Sequence, residues 1–202
     1  MGQAKSVCCA YRDCKREPLK TSKDGYCVFH AKTEDKDAKG FEEALRNYVE
    51  EIKAKGLDYD FSGFVLVANV DFLRDFGVTV LERARFNGAK FQGDISFEGA
   101  KFESVSRFGG AQFQRDVSFK GVEFRDDVSF VDAEFRGGVS FERAKLRGAA
   151  YFWRAKFRGS ICFSASKFQG GTSFKDGEFQ ACPSFRRAEF ERGVSFWGTR
   201  FQ

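Results

Sequence analysis

The chain has 202 residues, 34 Lys and Arg against 29 Asp and Glu for a net charge of +5, and 27 Phe beside two Trp and one His. That length holds one or two domains, and no run of eighteen apolar residues offers a membrane-spanning helix. The N-terminus lacks the apolar core of a secretory signal. A cytoplasmic protein is therefore expected, in which the six Cys are thiols or metal ligands rather than disulfides.

In chain order, Met1-Gly-Gln-Ala-Lys-Ser6 matches a myristoylation pattern with Cys8 and Cys9 behind it, although a leader without ordered structure is the preferred reading. Cys9-Ala-Tyr-Arg-Asp-Cys14 is followed by Cys27-Val-Phe-His30. Two thiolates, then a Cys and a His two residues apart, supply the four ligands that tetrahedral zinc prefers. Gly25-Tyr26 supplies a turn ahead of the second pair, and a module this short has too little core to fold unaided. Cys8 is an alternative to Cys9 as first ligand, and unligated thiols in a flexible leader are the competing reading. With four protein ligands the zinc is structural, because a catalytic zinc keeps an open position.

Residues 31–40 are charged and aperiodic and read as a linker. Phe41, Leu45, Tyr48, Val49 and Ile52 then fall on one stripe of a helix, with Glu42, Glu43, Glu50 and Glu51 off it and Gly56 placed to end it. Such a helix could dock a partner; capping the exposed edge and core of the β-rich region downstream is the favoured role. Between Leu57 and Val80, Phe61-Ser-Gly-Phe64-Val-Leu-Val and Val70-Asp-Phe72 read as strands of an irregular first unit. The divisions are 1–35 for the zinc module, 36–56 for linker and helix, and 57–202 for the remainder.

From Phe86 to Gln202 the sequence repeats every eleven residues, as in Phe86-Asn-Gly-Ala89-Lys90-Phe91-Gln-Gly-Asp-Ile95-Ser96. The first slot is Phe in every copy, and the sixth is Phe except at Leu146. An eleven-residue period suits a right-handed helical supercoil, but at roughly 98° per residue slots one, four, six and ten fall near 0°, 295°, 131° and 164°. No apolar stripe results, and the recurring Gly, Ser and Val favour strands over helix. Along a strand, Ala89 and Phe91 point the same way, as do Ile95 and Phe97, with Lys90 and Ser96 turned out. Coils stacked at about 4.8 Å would align the rings into ladders.

The Ala-x-Phe motif, as in Ala100-Lys101-Phe102, resembles the pentapeptide-repeat family. The resemblance implies an all-β fold, a right-handed quadrilateral parallel β-helix, capped here by the predicted helix. Alternate steps are six residues (Phe91 to Phe97, Phe102 to Phe108), so a four-sided coil would take about 22 residues; two or three faces per coil remain compatible with the same repeat. The upstream Tyr26-Cys27-x-x-His30 ending is similar to short zinc modules that precede bacterial β-solenoids.

Outward slots are where chemistry would sit. Slot five alternates in charge along the stack, through Lys90, Gln112, Glu134, Lys156, Glu178 and Arg200 on one face and Lys101, Glu123, Lys145, Lys167 and Glu189 on another. Exposed pairs of this kind stabilise by at most about 1 kcal/mol. No Ser-His-Asp set can form around the lone His30, and no phosphate-binding Gly loop is present. Cys162 and Cys182 read as inert thiols. Family members that bind DNA gyrase resemble DNA through an acidic surface, whereas residues 1–80 here carry 13 basic and 14 acidic side chains and residues 81–202 carry 21 and 15. A denser basic zone, Arg136, Arg143, Lys145, Arg147, Arg154, Lys156 and Arg158, is opposed within its interval by Glu142 alone. It spreads over several faces, so nucleic-acid or topoisomerase binding is the alternative to a non-enzymatic scaffold for a protein partner. Trp153 and Trp197 stand two coils apart in one slot with Lys175 between them, the pattern of an interaction surface. The rings of the final coil, Phe185, Phe190, Phe196 and Phe201, are expected to form a homodimer contact.

Overall fold

Each repeat makes two short strands, because its small and aromatic slots must face inward two residues apart. The computed structural model describes residues 9–11 and 14–202; the acylation pattern and Cys8 lie outside the described residues. Strands such as Lys90–Phe91 and Ile95–Ser96 stack in parallel on their equivalents in the next coil, Lys90 against Gln112 and Ile95 against Val117. Four sheets result. The first side has seven strands, from Val65–Leu66 to Arg200–Phe201; the second has six, from Val80–Leu81 to Glu189–Phe190. The third has five, from Ser106–Arg107 to Val194–Ser195, and the fourth five, from Val70–Asp71 to Ile161–Cys162. The coil is four-sided, with successive equivalents 22 residues apart.

Inward slots are filled by rings. Phe61, Phe86, Phe108, Phe130, Phe152, Phe174 and Phe196 form one stack with centroids 4.7–5.2 Å apart. Phe72, Phe97, Phe119, Phe141, Phe163 and Phe185 form a second. Phe91 to Phe201 make a third, and Leu146 interrupts the fourth between Phe124 and Phe168. Neighbouring stacks meet edge to face, as Phe119 does with Phe130 at 5.4 Å, the arrangement that ring quadrupoles favour.

Slot three takes a left-handed backbone conformation at every corner where it recurs. Gly88, Gly99, Gly110 and Gly121 fill it first, with φ of 63–71°; from there the same corner holds Asp132, Arg143, Arg154, Ala165, Asp176 and Arg187, with φ of 53–59°, before Gly198. A side chain in this region costs roughly 1–2 kcal/mol, less for Asp, so the corners from Asp132 to Arg187 are strained and those from Gly88 to Gly121 are not; Arg83, φ 48°, is a strained residue ahead of them.

The helix α1 (Ala38–Lys55) starts where the Asp37 carboxylate accepts from Gly40 N–H at 2.7 Å and stops at Gly56, φ 59°. Its buried stripe, Phe41, Leu45, Val49 and Ile52, lies over the first coil. Tyr48 packs on Phe61 and Phe64 and donates to the Asp60 carbonyl at 2.6 Å. The helix thus closes the ring stacks at their first turn. Val70-Asp71-Phe72, expected as one strand, is instead a strand ending at Asp71 and a second helix, α2 (Phe72–Phe76). Asp71 caps it by accepting from Arg74 N–H at 2.9 Å, and Gly77, φ 64°, ends it. This helix takes up the surplus of the first coil, where Asn69 meets Asp94 at a separation of 25 residues.

Candidate metal centre and outer surface

Cys27 to Ala31 form a single tight turn: His30 N–H and Ala31 N–H both donate to the Cys27 carbonyl, at 3.1 and 2.9 Å. It brings the Cys27 Sγ and His30 Nδ1 to 3.2 Å. The first two thiols are delivered by a loop tied back on itself, Cys9 N–H to Arg16 O at 2.8 Å and Ala10 N–H to Gly25 O at 2.9 Å. Cys9 Sγ lies 3.6 Å from His30 Nδ1 and Cys14 Sγ 3.8 Å from Cys27 Sγ, and all four ligand atoms fall within 4.8 Å of one another. The four predicted ligand positions are thereby brought together, and their donor set is one that could hold a metal ion.

Surrounding groups orient the ligands. His30 Nε2 is 3.3 Å from the Ser62 carbonyl, which can only accept, so the proton sits on Nε2 and Nδ1 is bare toward the sulfurs. Burial pushes the imidazole down to about 4 in the ion-free protein, keeping it neutral. Burial also pushes the Cys27 thiol up to about 12. For Cys14, burial works in the same upward direction but is outweighed by hydrogen bonds from the Arg16 backbone and guanidinium, which leave it below the ordinary thiol value. Arg16 itself lies over the rings of Phe29 and Tyr48 at 5.0 and 4.7 Å.

The centre is built into the cap. It is joined to the first coil through Val65 N–H donating to Phe29 O at 2.7 Å, through Phe29 stacked on Phe64 at 4.5 Å, and through Tyr11. The Tyr11 ring stacks on His30 at 4.0 Å and covers Gly63, where an added Cβ would come within 2.2 Å of it. Lys36 bridges the same seam, donating to the carbonyls of Phe29 and Val65, and burial lowers its pKa to about 7. None of these contacts was legible in the repeat.

Elsewhere the outward groups pair across coils. The slot-five ladders form in the expected order. The arginines of the basic zone are not free, however, although Lys145 and Lys156 form no ion pair among the described residues. Arg147 reaches Glu123 at 2.6 Å, Arg154 reaches Asp132 at 2.6 Å, and Arg158 and Arg136 share Glu134 at 2.7 and 3.2 Å. Counting charges within one interval overlooked carboxylates one coil earlier. The hydrogen bond from Arg158 is the main cause holding the Glu134 carboxyl below its usual range. A groove of about 540 Å³ along the fourth side is lined by Asp94, Asp116, Ser118 and Ser140 among others. Its carboxylates are occupied structurally: Asp94 accepts from Asp116 N–H at 3.2 Å and Asp116 from Gly138 N–H at 2.7 Å. Trp153 and Trp197 do share a column, with Lys175 Nζ 4.8 Å from the Trp197 ring. Cys162 is partly buried and bonded to Ser164, and Cys182 is exposed.

The profile of pentapeptide repeats (9 copies) matches residues 76–123, 119–159 and 152–200, more than half of the chain. The chain belongs to the pentapeptide-repeat family. No curated protein and no solved structure is matched by it. The match begins inside α2, so the Cys/His cluster, α1 and most of the first coil are additions to the pentapeptide-repeat body. No helix among the described residues is long and apolar enough to cross a membrane.

Proposed function

We propose that this protein is a non-enzymatic scaffold, a rigid solenoid that presents its outer faces to a protein partner and whose cap is stapled by a structural zinc ion. The observation that supports the scaffold is the division of side chains: inward slots are closed by ring stacks, and outward slots carry exposed polar and charged groups, several of them paired across coils. Outside the Cys/His cluster, no group of convergent polar side chains is buried together among the described residues. Zinc is supported by dimensions. Ligands at about 2.3 Å for sulfur and about 2.0 Å for nitrogen in a tetrahedron stand about 3.8 Å apart sulfur to sulfur and about 3.5 Å sulfur to nitrogen. The Cys14–Cys27 and Cys9–His30 separations of 3.8 and 3.6 Å lie close to these, and Cys27–His30, at 3.2 Å, would open slightly around an ion. Such an ion would leave no position for substrate, so its contribution is to hold the cap together.

Self-association of this chain belongs to the same proposal. Phe196 and Phe201 are 36% and 57% exposed on the last coil, with Phe185 and Phe190 beside them, and a two-fold contact would bury these rings. The scaffold reading is tested by placing a photo-cross-linking residue at one outward position on each side, Gln112, Lys145, Ser173 and Ser118, in the cell of origin. A discrete protein adduct from one side is expected. Hydrolytic turnover by the zinc-loaded chain, lost in His30→Ala, would overturn it.

A further inference from the structure

We infer that the third side of the solenoid, around Trp153, Lys175 and Trp197, takes a short acidic peptide segment of a partner protein. This rests on the scaffold reading and names the chemistry of its contact. A trough of about 380 Å³ runs over the last coils of that side, lined by Ala149, Tyr151, Gly171, Ser173, Gly193 and Val194 together with Thr172 and Ser195. Its floor is low because the lining is mostly small residues. Two residues on from Tyr151 and Ser195 of the lining, the next outward slot carries indoles: Trp197 is 68% exposed and Trp153 38%, the latter braced edge-on by Tyr151 at 5.3 Å. Val194, 39% exposed, adds apolar surface at the same place.

Exposed aromatic and aliphatic surface beside a bare floor is what an incoming apolar side chain needs. The charge pattern specifies the rest. Arg125, Arg147, Arg154 and Arg200 meet carboxylates one coil away, whereas Lys175 and the exposed Arg192, which immediately precedes Gly193 of the lining, form no ion pair with a carboxylate among the described residues and so bring two uncompensated cations to this one place. Lys175 instead rests on the Trp197 ring, a cation held in place beside the trough. A peptide carboxylate would complete both.

Two other ligand classes fit less well. A single-stranded nucleic acid could stack on Trp197, yet its phosphates repeat along the whole strand while only Lys175 and Arg192 stand beside the trough, enough for one or two carboxylates of a short peptide. A neutral glycan could lie on the rings but would leave both cations uncompensated.

The test begins with a phage-displayed library of random dodecapeptides panned on the full zinc-loaded chain, with counter-selection on Trp197→Ala. Recovered peptides are synthesised and titrated while the intrinsic fluorescence of Trp153 and Trp197, the only tryptophans in the chain, is followed. The expected result is enrichment of Asp and Glu beside an apolar residue. Affinity should fall about tenfold or more in Lys175→Glu and in Trp197→Ala, be largely restored in Trp197→Phe, and be unchanged in Lys156→Glu on the first side. Peptides without acidic residues, or equal binding by Lys175→Glu, would overturn the proposal. So would binding of oligothymidylate or cellohexaose in the absence of any peptide. Should the photo-cross-linked partner persist in Lys175→Glu, this surface is excluded while the scaffold reading stands.

Discussion

Replacing Phe135 by Ala removes one ring from the middle of a stack, between Phe113 at 4.8 Å and Phe157 at 5.0 Å, with Phe130 tilted against it at 5.9 Å. The side chain is fully buried. An aromatic residue removes roughly 150–250 Å² from water, which at about 25 cal/mol per Å² is about 4–6 kcal/mol. The unfolded chain already hides part of that area, and Ala keeps its Cβ, so a loss of about 3–5 kcal/mol is expected, in line with measured Phe→Ala changes. Phe201 touches its stack through one face only, at 5.1 Å from Phe179, and is 57% exposed. Phe201→Ala should therefore cost about 1–2 kcal/mol, by the same area argument. Urea titrations followed by far-ultraviolet circular dichroism and by tryptophan fluorescence compare the two. Because each coil contacts only its neighbours, the probes need not coincide, and the comparison is made on each signal separately. Equal losses for the two variants would refute the assignment of rings to stacked ladders.

Three further outcomes are expected alongside a test of association. One equivalent of zinc should copurify; in the ion-free protein, hydrogen exchange should rise in residues 59–66 as well as in the cluster, and it should stay unchanged beyond residue 90. Because burial depresses His30 from 6.5 to about 4, the ion-free cap keeps this contribution above pH 6.5 and loses it as the pH falls from there toward 4, a dependence absent in His30→Ala. Ala165→Gly, at φ 55°, should raise stability by about 0.5–1 kcal/mol, the relief of left-handed strain less the added freedom of the unfolded chain, whereas Gly99→Ala, at φ 71°, should lower it by about 1 kcal/mol in the same urea assay. Light scattering of this chain at high micromolar concentration should report a dimer, and of Phe201→Lys a monomer; a monomeric wild type would dismiss the contact.

The solenoid body was legible because every copy states the same rule, and one exception, Leu146, could be read against ten agreements. Its four sides were implied by the pentapeptide-repeat resemblance, with two or three faces equally compatible with the repeat; the four sheets and the 22-residue register decide for four. The first coil was harder. Asp71 and Gly77 are ordinary start and stop signals for a helix, but the five residues between them read equally well as strand. The Cys/His cluster was visible as spacing, whereas its seam with the coil rests on Tyr11 over Gly63 and Phe29 against Phe64, single contacts between distant segments that no periodicity announces. The cross-coil ion pairs were present in the repeat frame, since Arg154 and Asp132 stand 22 residues apart, and were hidden only by counting charge along the chain instead of across it.

The change of corner residue after Gly121 gives the rod a mechanical polarity. Coils whose left-handed corners are glycine sit in a relaxed groove of the backbone landscape, while those cornered by Asp132, Arg143, Arg154, Ala165 and Arg187 are wound against a restoring torque. Pulled along its axis, such a spring does not yield uniformly. The wound half should unwind first, in steps of one coil, and the half next to α1 should hold, so that tension would strip the third-side trough of its shape while leaving the cap and its Cys/His cluster intact.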